Sequence, residues 1–127
     1  MNNRDVLAAA EENKYPNLDK AGFVPRLVRF SPSDYNLVKD CAMAEGLSRV
    51  EFYEVAMRHL LKIYQKPNAR LLLVPTPKAN FKIHAVRLRL EVFMAVEEVA
   101  KQFEVQASRF MATACVIHAD KIRAAKI

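Results

Sequence analysis

The sequence predicts a mainly α-helical domain that carries a two-stranded antiparallel β-ribbon. Two short segments, 26–30 and 85–90, alternate between apolar and polar residues, as half-buried strands do. Each segment is followed by two stretches whose apolar residues recur at helical spacing. The order strand-helix-helix therefore occurs twice, and 127 residues suffice for one domain in which both copies share a core.

The segment 1–24 is predicted to form a short helix, over 3–13, and an irregular loop in which Gly22 and Pro25 interrupt regular structure. The strand 26–30 then turns Val28 inward and Arg29 outward.

Both helices of the first unit have clear signals at their starts. Ser31 is a predicted N-cap, because a proline follows it and an acid stands three residues later, and this helix ends at Gly46. Ser48 and Glu51 have the spacing of a capping box, which begins the second helix. That helix is apolar on more than one side, so we expect it to be deeply buried, with His59 packed in the core.

The second unit repeats this order after a linker. Residues 67–82 are rich in proline and basic residues, and that density of proline excludes a helix. The unit 83–127 then begins with the strand 85–90, and its last helix opens at Ser108-Arg109. The strand is predicted to turn three apolar side chains inward: Val86, Leu88 and Leu90.

The second copy can be laid over the first by aligning Ser48-Arg49 with Ser108-Arg109. The same shift aligns 28–30 with 88–90. This indicates an internal duplication, for which the repeated order of elements is stronger evidence than the few identical residues.

The charge is unevenly distributed. The net charge is +6, and residues 55–90 hold eight bases and no acid. Such a segment favours a polyanionic partner such as nucleic acid, while a solvated, solubilising surface remains the alternative.

The composition argues against several classes of protein. No apolar run is long enough to cross a bilayer, and the N-terminal residues lack the apolar core of a secretory signal, so we expect no membrane partner and a cytoplasmic location. Cys41 and Cys115 belong to no Cys-x-x-Cys pair and are predicted to be small core residues. Two glycines are too few for a phosphate-binding loop. We therefore predict no catalytic residues, no metal and no cofactor.

Two segments carry a resemblance to a known family. RLVRFSPS (26–33), followed by a helix and then EGLSRVE (45–51), resembles the ribbon-helix-helix superfamily of Arc- and MetJ-type repressors. The stretch Gly-Leu-Ser-Arg resembles the plasmid copy-number repressors of that superfamily. Members normally dimerise to build one ribbon. Two units in tandem, 25–66 and 83–127, resemble the organisation of the conjugative relaxosome protein TraY.

The resemblance implies roles for particular residues. Outward strand residues would contact bases in the major groove of DNA: Leu27, Arg29, Arg87 and Arg89. Residues at the starts of the second helices would contact phosphates: Ser48, Arg49, Ser108 and Arg109. Independently of the resemblance, Lys82 and Lys78 in the basic linker are expected to add less specific contacts to the DNA phosphates. Leu27 departs from the polar residue usual in the family, so either it contacts a thymine methyl group or this half contacts no base.

We therefore expect a sequence-specific double-stranded DNA-binding protein, acting as a transcriptional repressor or as an accessory factor of plasmid or mobile-element transfer. Two halves free to diverge would recognise a site that is not palindromic. Side-by-side self-association on DNA and protein partners in a DNA-processing complex stay open. The alternative is an assembly module that keeps the fold and binds protein through the basic linker and the N-terminal helix.

Overall fold

The computed structural model describes residues 15–66, 70 and 72–125. The elements are β1 (Phe23–Phe30), α1 (Pro32–Ala44), α2 (Arg49–Tyr64), β2 (Lys82–Arg89), α3 (Leu90–Gln102) and α4 (Ala107–Ala125). The predicted class is confirmed, since the described chain is mainly helical with one two-stranded antiparallel sheet. The helix predicted at 3–13 lies outside the described residues.

The two strands pair along their whole length to form a ribbon. Leu27 lies opposite Ala85 at the centre, and Phe23 lies opposite Arg89 at one end. Alternate side chains face the helices and are buried: Val24, Val28, Phe30, Val86 and Leu88. The other set lies on the opposite face of the ribbon, because successive side chains of a strand alternate between its faces.

Both strands begin earlier than the alternation predicts. β1 includes Pro25, so the prediction of an irregular segment there is wrong. Within the described chain β1 pairs on one side only, and such a strand tolerates a residue that has no backbone N–H. β2 begins at Lys82, which the sequence analysis assigns to the linker, and it ends before Leu90, which is the first residue of α3.

The capping predictions for α1 and α2 are confirmed. The Ser31 hydroxyl accepts a hydrogen bond from the backbone N–H of Asp34 (3.2 Å). The Ser48 hydroxyl accepts from the N–H of Glu51 (3.2 Å), whose carboxylate accepts from the N–H of Ser48 (3.0 Å). Gly46 follows α1 with φ of 68°, a conformation that glycine adopts without steric cost.

Two pairs of helix starts are separated by the same number of residues, which is slightly smaller than the shift that aligns Ser48 with Ser108. Helix α1 starts at Pro32 and α3 at Leu90, while α2 starts at Arg49 and α4 at Ala107. The number of residues between the two starts is the same in both pairs. We call this separation the repeat interval.

The hydrogen bonds that end the first helix of each unit also recur at the repeat interval. In the first unit Leu47 N–H donates to the Ala42 carbonyl, and in the second Val105 N–H donates to the Ala100 carbonyl. The predicted equivalence of Ser48 and Ser108 is wrong, because Ser48 caps α2, whereas Ser108 lies one residue inside α4.

The core lies between the inner face of the ribbon and the four helices. Its largest fully buried side chains come from the second strand and from three helices: Phe52, Met57, Leu88, Leu90, Phe93, Phe110 and Met111. Cys41 and Cys115 are buried in the core, as predicted, and the Cys41 thiol donates to the Ala119 carbonyl (3.5 Å). His59 is exposed, so its prediction as a core residue is wrong; its ring contacts that of His118, with centroids 4.7 Å apart.

The two faces of the ribbon should respond differently to the same substitution. Leu88 is 0% exposed and Leu27 is 67% exposed. Leu88→Ala should lower the free energy of unfolding by about 2–5 kcal/mol, since it leaves a cavity in the core. Leu27→Ala should change it by less than about 0.5 kcal/mol. Urea denaturation of both variants measures the difference, and equal losses would contradict the assigned faces.

Candidate nucleic-acid interface

The outer face of the ribbon is apolar at its centre and basic towards its ends. Leu27 (67% exposed) and Ile83 (56% exposed) lie beside Ala85 in the middle. Arg29 lies opposite Ile83, and Arg87 lies opposite Pro25 on the other side of the centre. The face thus presents methyl and methylene groups between two guanidinium groups.

Aromatic rings support the outward arginines. The Arg29 guanidinium lies over the ring of Phe81, 4.5 Å from its centroid. On the opposite strand, Arg87 and Arg89 lie over Phe23 at 5.0 and 5.6 Å. Cation–π contacts of this kind restrain a guanidinium group while leaving its N–H donors free to bind other groups.

Carboxylates from outside the ribbon pair with two of these arginines. Arg87 Nη2 donates to Asp19 Oδ2 at 2.6 Å, and Arg89 Nε donates to Glu54 Oε1 at 2.7 Å. The arginine side chains remain 44% and 59% exposed. The predicted base-contacting residues Leu27, Arg29, Arg87 and Arg89 therefore share one exposed face, but two of them already have acidic partners.

These ion pairs give several bases of the acid-free segment acidic partners from other parts of the chain. Arg58 pairs with Glu91 (3.3 Å) and with Glu54 (3.6 Å), in addition to the pairs of Arg87 and Arg89. The acidic partners lie outside residues 55–90, so counting the charges within that segment does not reveal these ion pairs.

Asp19 is a fixed carboxylate. Its Oδ1 accepts hydrogen bonds from the backbone N–H groups of Ala21 and Phe23, both at 2.9 Å. The bond from Phe23, and then the bond from Arg87, hold the pKa of the Asp19 carboxyl below its ordinary value. The turn that carries Asp19 is also tied to the start of α3, since Leu90 N–H donates to the Gly22 carbonyl (2.9 Å).

The predicted phosphate contact at Arg49 is engaged within the protein. Its Nη1 donates to the Tyr35 hydroxyl (2.8 Å) and lies 3.2 Å from Nε2 of His84. The guanidinium also stacks over the Tyr35 ring at 5.0 Å. Two of the amides at this helix end are bonded in the capping box of Ser48 and Glu51. These amides and the Arg49 guanidinium therefore already have hydrogen-bond partners within the protein.

The corresponding end of α4 is covered by the linker. Arg109 Nε donates to the Val74 carbonyl (3.0 Å), and Val74 N–H donates to the Thr113 hydroxyl (3.0 Å). A cleft of about 450 Å³ separates this segment from the outer face of the ribbon. Its polar lining residues are Arg29, Thr76, Gln106, Ser108 and Arg109. The structure therefore brings Ser108 and Arg109 to the same cleft as Arg29.

The two predicted lysine contacts are exposed but lie in different settings. Lys82 is the first residue of β2, opposite Phe30. Lys78 lies in the bend before β2, two residues ahead of Asn80, which has φ of 52°. Neither lysine forms an ion pair with another described residue.

Sequence reasoning missed the groups that hold the arginines. Phe23 and Phe81 are one repeat interval apart, so the correct spacing would have aligned them. No comparable pattern marks Asp19 or Glu54, because their partners are distant along the chain.

Comparison with protein-family models, with curated proteins and with solved structures finds no match to this chain. Among residues 15–66, 70 and 72–125, no helix is long and apolar enough to span a membrane. No cluster of three or more potential metal ligands occurs in that part of the chain.

The environment of His84 predicts loss of stability in acid. Burial, and then the neighbouring Arg49, lower the pKa of His84 below its ordinary value. His84 therefore takes up a proton more readily in the unfolded chain than in the folded protein. The free energy of unfolding consequently falls as the pH decreases from about 6.5 towards the pKa of His84 in the folded protein. His84→Gln should flatten this fall in urea titrations between about pH 7 and about pH 5. An unchanged pH dependence would contradict the assigned environment. Some slope should remain, because burial also lowers the pKa of His118.

Proposed function

We propose that this protein binds double-stranded DNA with sequence specificity, by placing the outer face of the ribbon in the major groove. The observation that carries the proposal is the exposed face on which Arg29 and Arg87 flank an apolar centre. A two-stranded ribbon is narrow enough for the major groove, where side chains meet base edges that distinguish all four base pairs.

An internal two-fold relation supports a tandem ribbon-helix-helix protein. Leu27 and Ala85 are separated by the repeat interval and face each other across the ribbon. A residue that faces its own counterpart lies on the symmetry axis relating two units. A duplicated chain of this kind has the organisation of a dimer with one ribbon.

Contacts between the halves follow the same relation. Arg29 of β1 stacks on Phe81, and Arg87 of β2 stacks on Phe23. The two arginines, like the two phenylalanines, are one repeat interval apart. The arginine of each strand is thus supported by an aromatic ring at the start of the other strand or just before it.

A second pair of contacts lies on the inner side of the ribbon. Arg26 of β1 stacks on Phe93 of α3, 5.1 Å from the ring centroid. His84 of β2 packs against Tyr35 of α1, with ring centroids 5.5 Å apart. His84 and Phe93 follow Arg26 and Tyr35 by the repeat interval, so the exchange of contacts extends into the helices.

The side chains on the outer face suit particular base edges. An arginine in the major groove donates two hydrogen bonds to O6 and N7 of guanine, while apolar side chains contact the thymine methyl group. We therefore assign guanine to Arg29 and Arg87, and thymine to Leu27 and Ile83. Arg89, paired with Glu54 at the end of the ribbon, lies farther from the centre.

The biological role follows from the resemblance to ribbon-helix-helix repressors. It suggests a transcriptional repressor, or an accessory factor of plasmid or mobile-element transfer. Fusion of both units in one chain removes the need for dimerisation and raises the effective concentration of the second half.

A protein-binding module is the second candidate, and the exposed leucine and isoleucine favour it. Leu27 and Ile83 form an apolar centre surrounded by charged groups, which is also the anatomy of a protein–protein interface. The net charge of +6 and the pair of supported arginines favour DNA over this candidate.

Titration of duplex DNA over a range of salt concentrations tests the proposal. Affinity should fall with salt with a log–log slope near −0.9 per phosphate contact. Arg29→Ala and Arg87→Ala should each cost about 1–3 kcal/mol of binding free energy on a preferred duplex and less on unrelated duplexes.

Arg123→Ala is the matched control, since it removes the same charge from the last turn of α4. Arg109 lines the cleft beside the outer face of the ribbon. Arg123 lies almost four helical turns farther along the same helix, at a distance of roughly 21 Å. Its replacement should leave sequence preference unchanged. Affinity that is independent of salt, or equal losses for all three variants, would contradict the proposal.

Selection from random duplexes should recover a site with a defined spacing. Arg29 and Arg87 stand two residues to either side of the ribbon centre, so roughly 14 Å, or about four base-pair steps, separates them along the strand direction. We expect two guanines at this separation with thymine between them. The two halves of the site should differ, because equivalent positions of the two strands carry different side chains. Pro25 on β1 corresponds to Ile83 on β2, and Leu27 corresponds to Ala85. A strictly palindromic site would contradict the assigned inequivalence.

A further inference from the structure

We propose that Asp19 is a positioning residue that fixes Arg87 for guanine recognition and so makes the two halves of the ribbon unequal in specificity. This inference rests on the proposed DNA-binding function. It concerns a residue in the segment 1–24, whose role the sequence alone leaves open.

Backbone N–H groups orient the Asp19 carboxylate independently of Arg87. Its Oδ1 is bonded to two backbone N–H groups, of Ala21 and Phe23, which leaves Oδ2 directed at Arg87 Nη2 (2.6 Å). The backbone closes the same turn, since the Asp19 N–H donates to the Phe23 carbonyl (2.9 Å) and the Gly22 N–H donates to the Asp19 carbonyl (3.1 Å). The acceptor is therefore part of a rigid turn rather than a mobile surface side chain.

Arg87 is consequently restrained in two directions. Asp19 holds one edge of the guanidinium group, and the Phe23 ring lies against its face at 5.0 Å. A guanidinium group has five N–H donors, so a single bond to Asp19 leaves enough donors for a bidentate contact to guanine. Restraint of a long side chain before binding reduces the conformational entropy that it loses on the DNA.

The equivalent arginine lacks this second restraint. Arg29 stacks on Phe81, but among the described residues it forms no ion pair. At the repeat interval the counterpart of Asp19 is Pro77, which has no carboxylate. Both arginines therefore stack on a phenylalanine ring, but of the two only Arg87 is paired with a carboxylate of the described residues.

A carboxylate at the edge of a DNA-binding face has opposite effects on affinity and specificity. It repels phosphates, which weakens binding to all sequences. It also orders the guanidinium group that distinguishes guanine from other bases. Asp19 should therefore lower non-specific affinity while raising discrimination at the base pair that Arg87 contacts.

The test compares wild-type protein, Asp19→Asn and Arg87→Ala on the preferred duplex, on duplexes substituted at each position and on unrelated DNA. Asp19→Asn keeps the acceptor for the two backbone N–H groups. It should bind unrelated DNA more tightly than the wild type and lose about tenfold in discrimination at the base pair affected by Arg87→Ala. Discrimination at the base pair affected by Arg29→Ala should not change.

Glu54→Gln is the matched control, because it removes the same charge from a carboxylate paired with Arg89. It should raise affinity for all duplexes without changing discrimination at the Arg87 position. In the Arg87→Ala background, Asp19→Asn should have no further effect on discrimination. This double-variant comparison separates positioning from a general loss of structure.

Two results would overturn the inference. If Asp19→Asn raises affinity and keeps full discrimination, Asp19 is only a competitor of the phosphates. If it weakens binding to every duplex equally, its role is only structural. Wild-type protein that binds all duplexes alike would overturn the proposed function, and this inference with it.

Discussion

The pairing of β1 with β2 is the constraint on which the rest of the structure depends. Residues far apart along the chain meet in one register, with Leu27 opposite Ala85. A slip of β2 by one residue would turn its buried side chains Val86 and Leu88 towards solvent, so the hydrophobic core specifies the register. The same register places both arginines on the opposite face. Core packing and the candidate DNA interface are thus two consequences of one alignment.

Local signals in the sequence predicted most of the fold, and non-local contacts explain what they missed. The caps at Ser31 and Ser48 were correct because capping depends on residues three positions apart. The partners of the arginines could not be predicted in this way, because Asp19 and Arg87 are distant in the sequence and meet only through the fold. The predicted equivalence of Ser48 and Ser108 was wrong, because Ser48 is an N-cap and Ser108 lies within a helix.

Residues 25–66 and 83–127 each supply two helices after a strand, and the two segments differ in their chemical details. Both halves carry an outward arginine over a phenylalanine ring, which is the part of the arrangement that recurs at the repeat interval. The first unit begins α2 with a capping box and an arginine bound to Tyr35 and His84, whereas the linker covers the start of α4. The proposed asymmetry of the DNA site follows from these differences rather than from the fold.

Methyl NMR of the protein titrated with duplex DNA tests the central claim most directly. Ile83 lies on the outer face of the ribbon (56% exposed), and Ile63 is exposed elsewhere, on α2 (38%). The account predicts that the methyl signals of Ile83 and Leu27 shift and show contacts to thymine methyl groups, while those of Ile63 and Met43 remain unchanged. Shifts confined to Ile63 and Met43, with Ile83 and Leu27 unaffected, would contradict the claim that the ribbon enters the major groove.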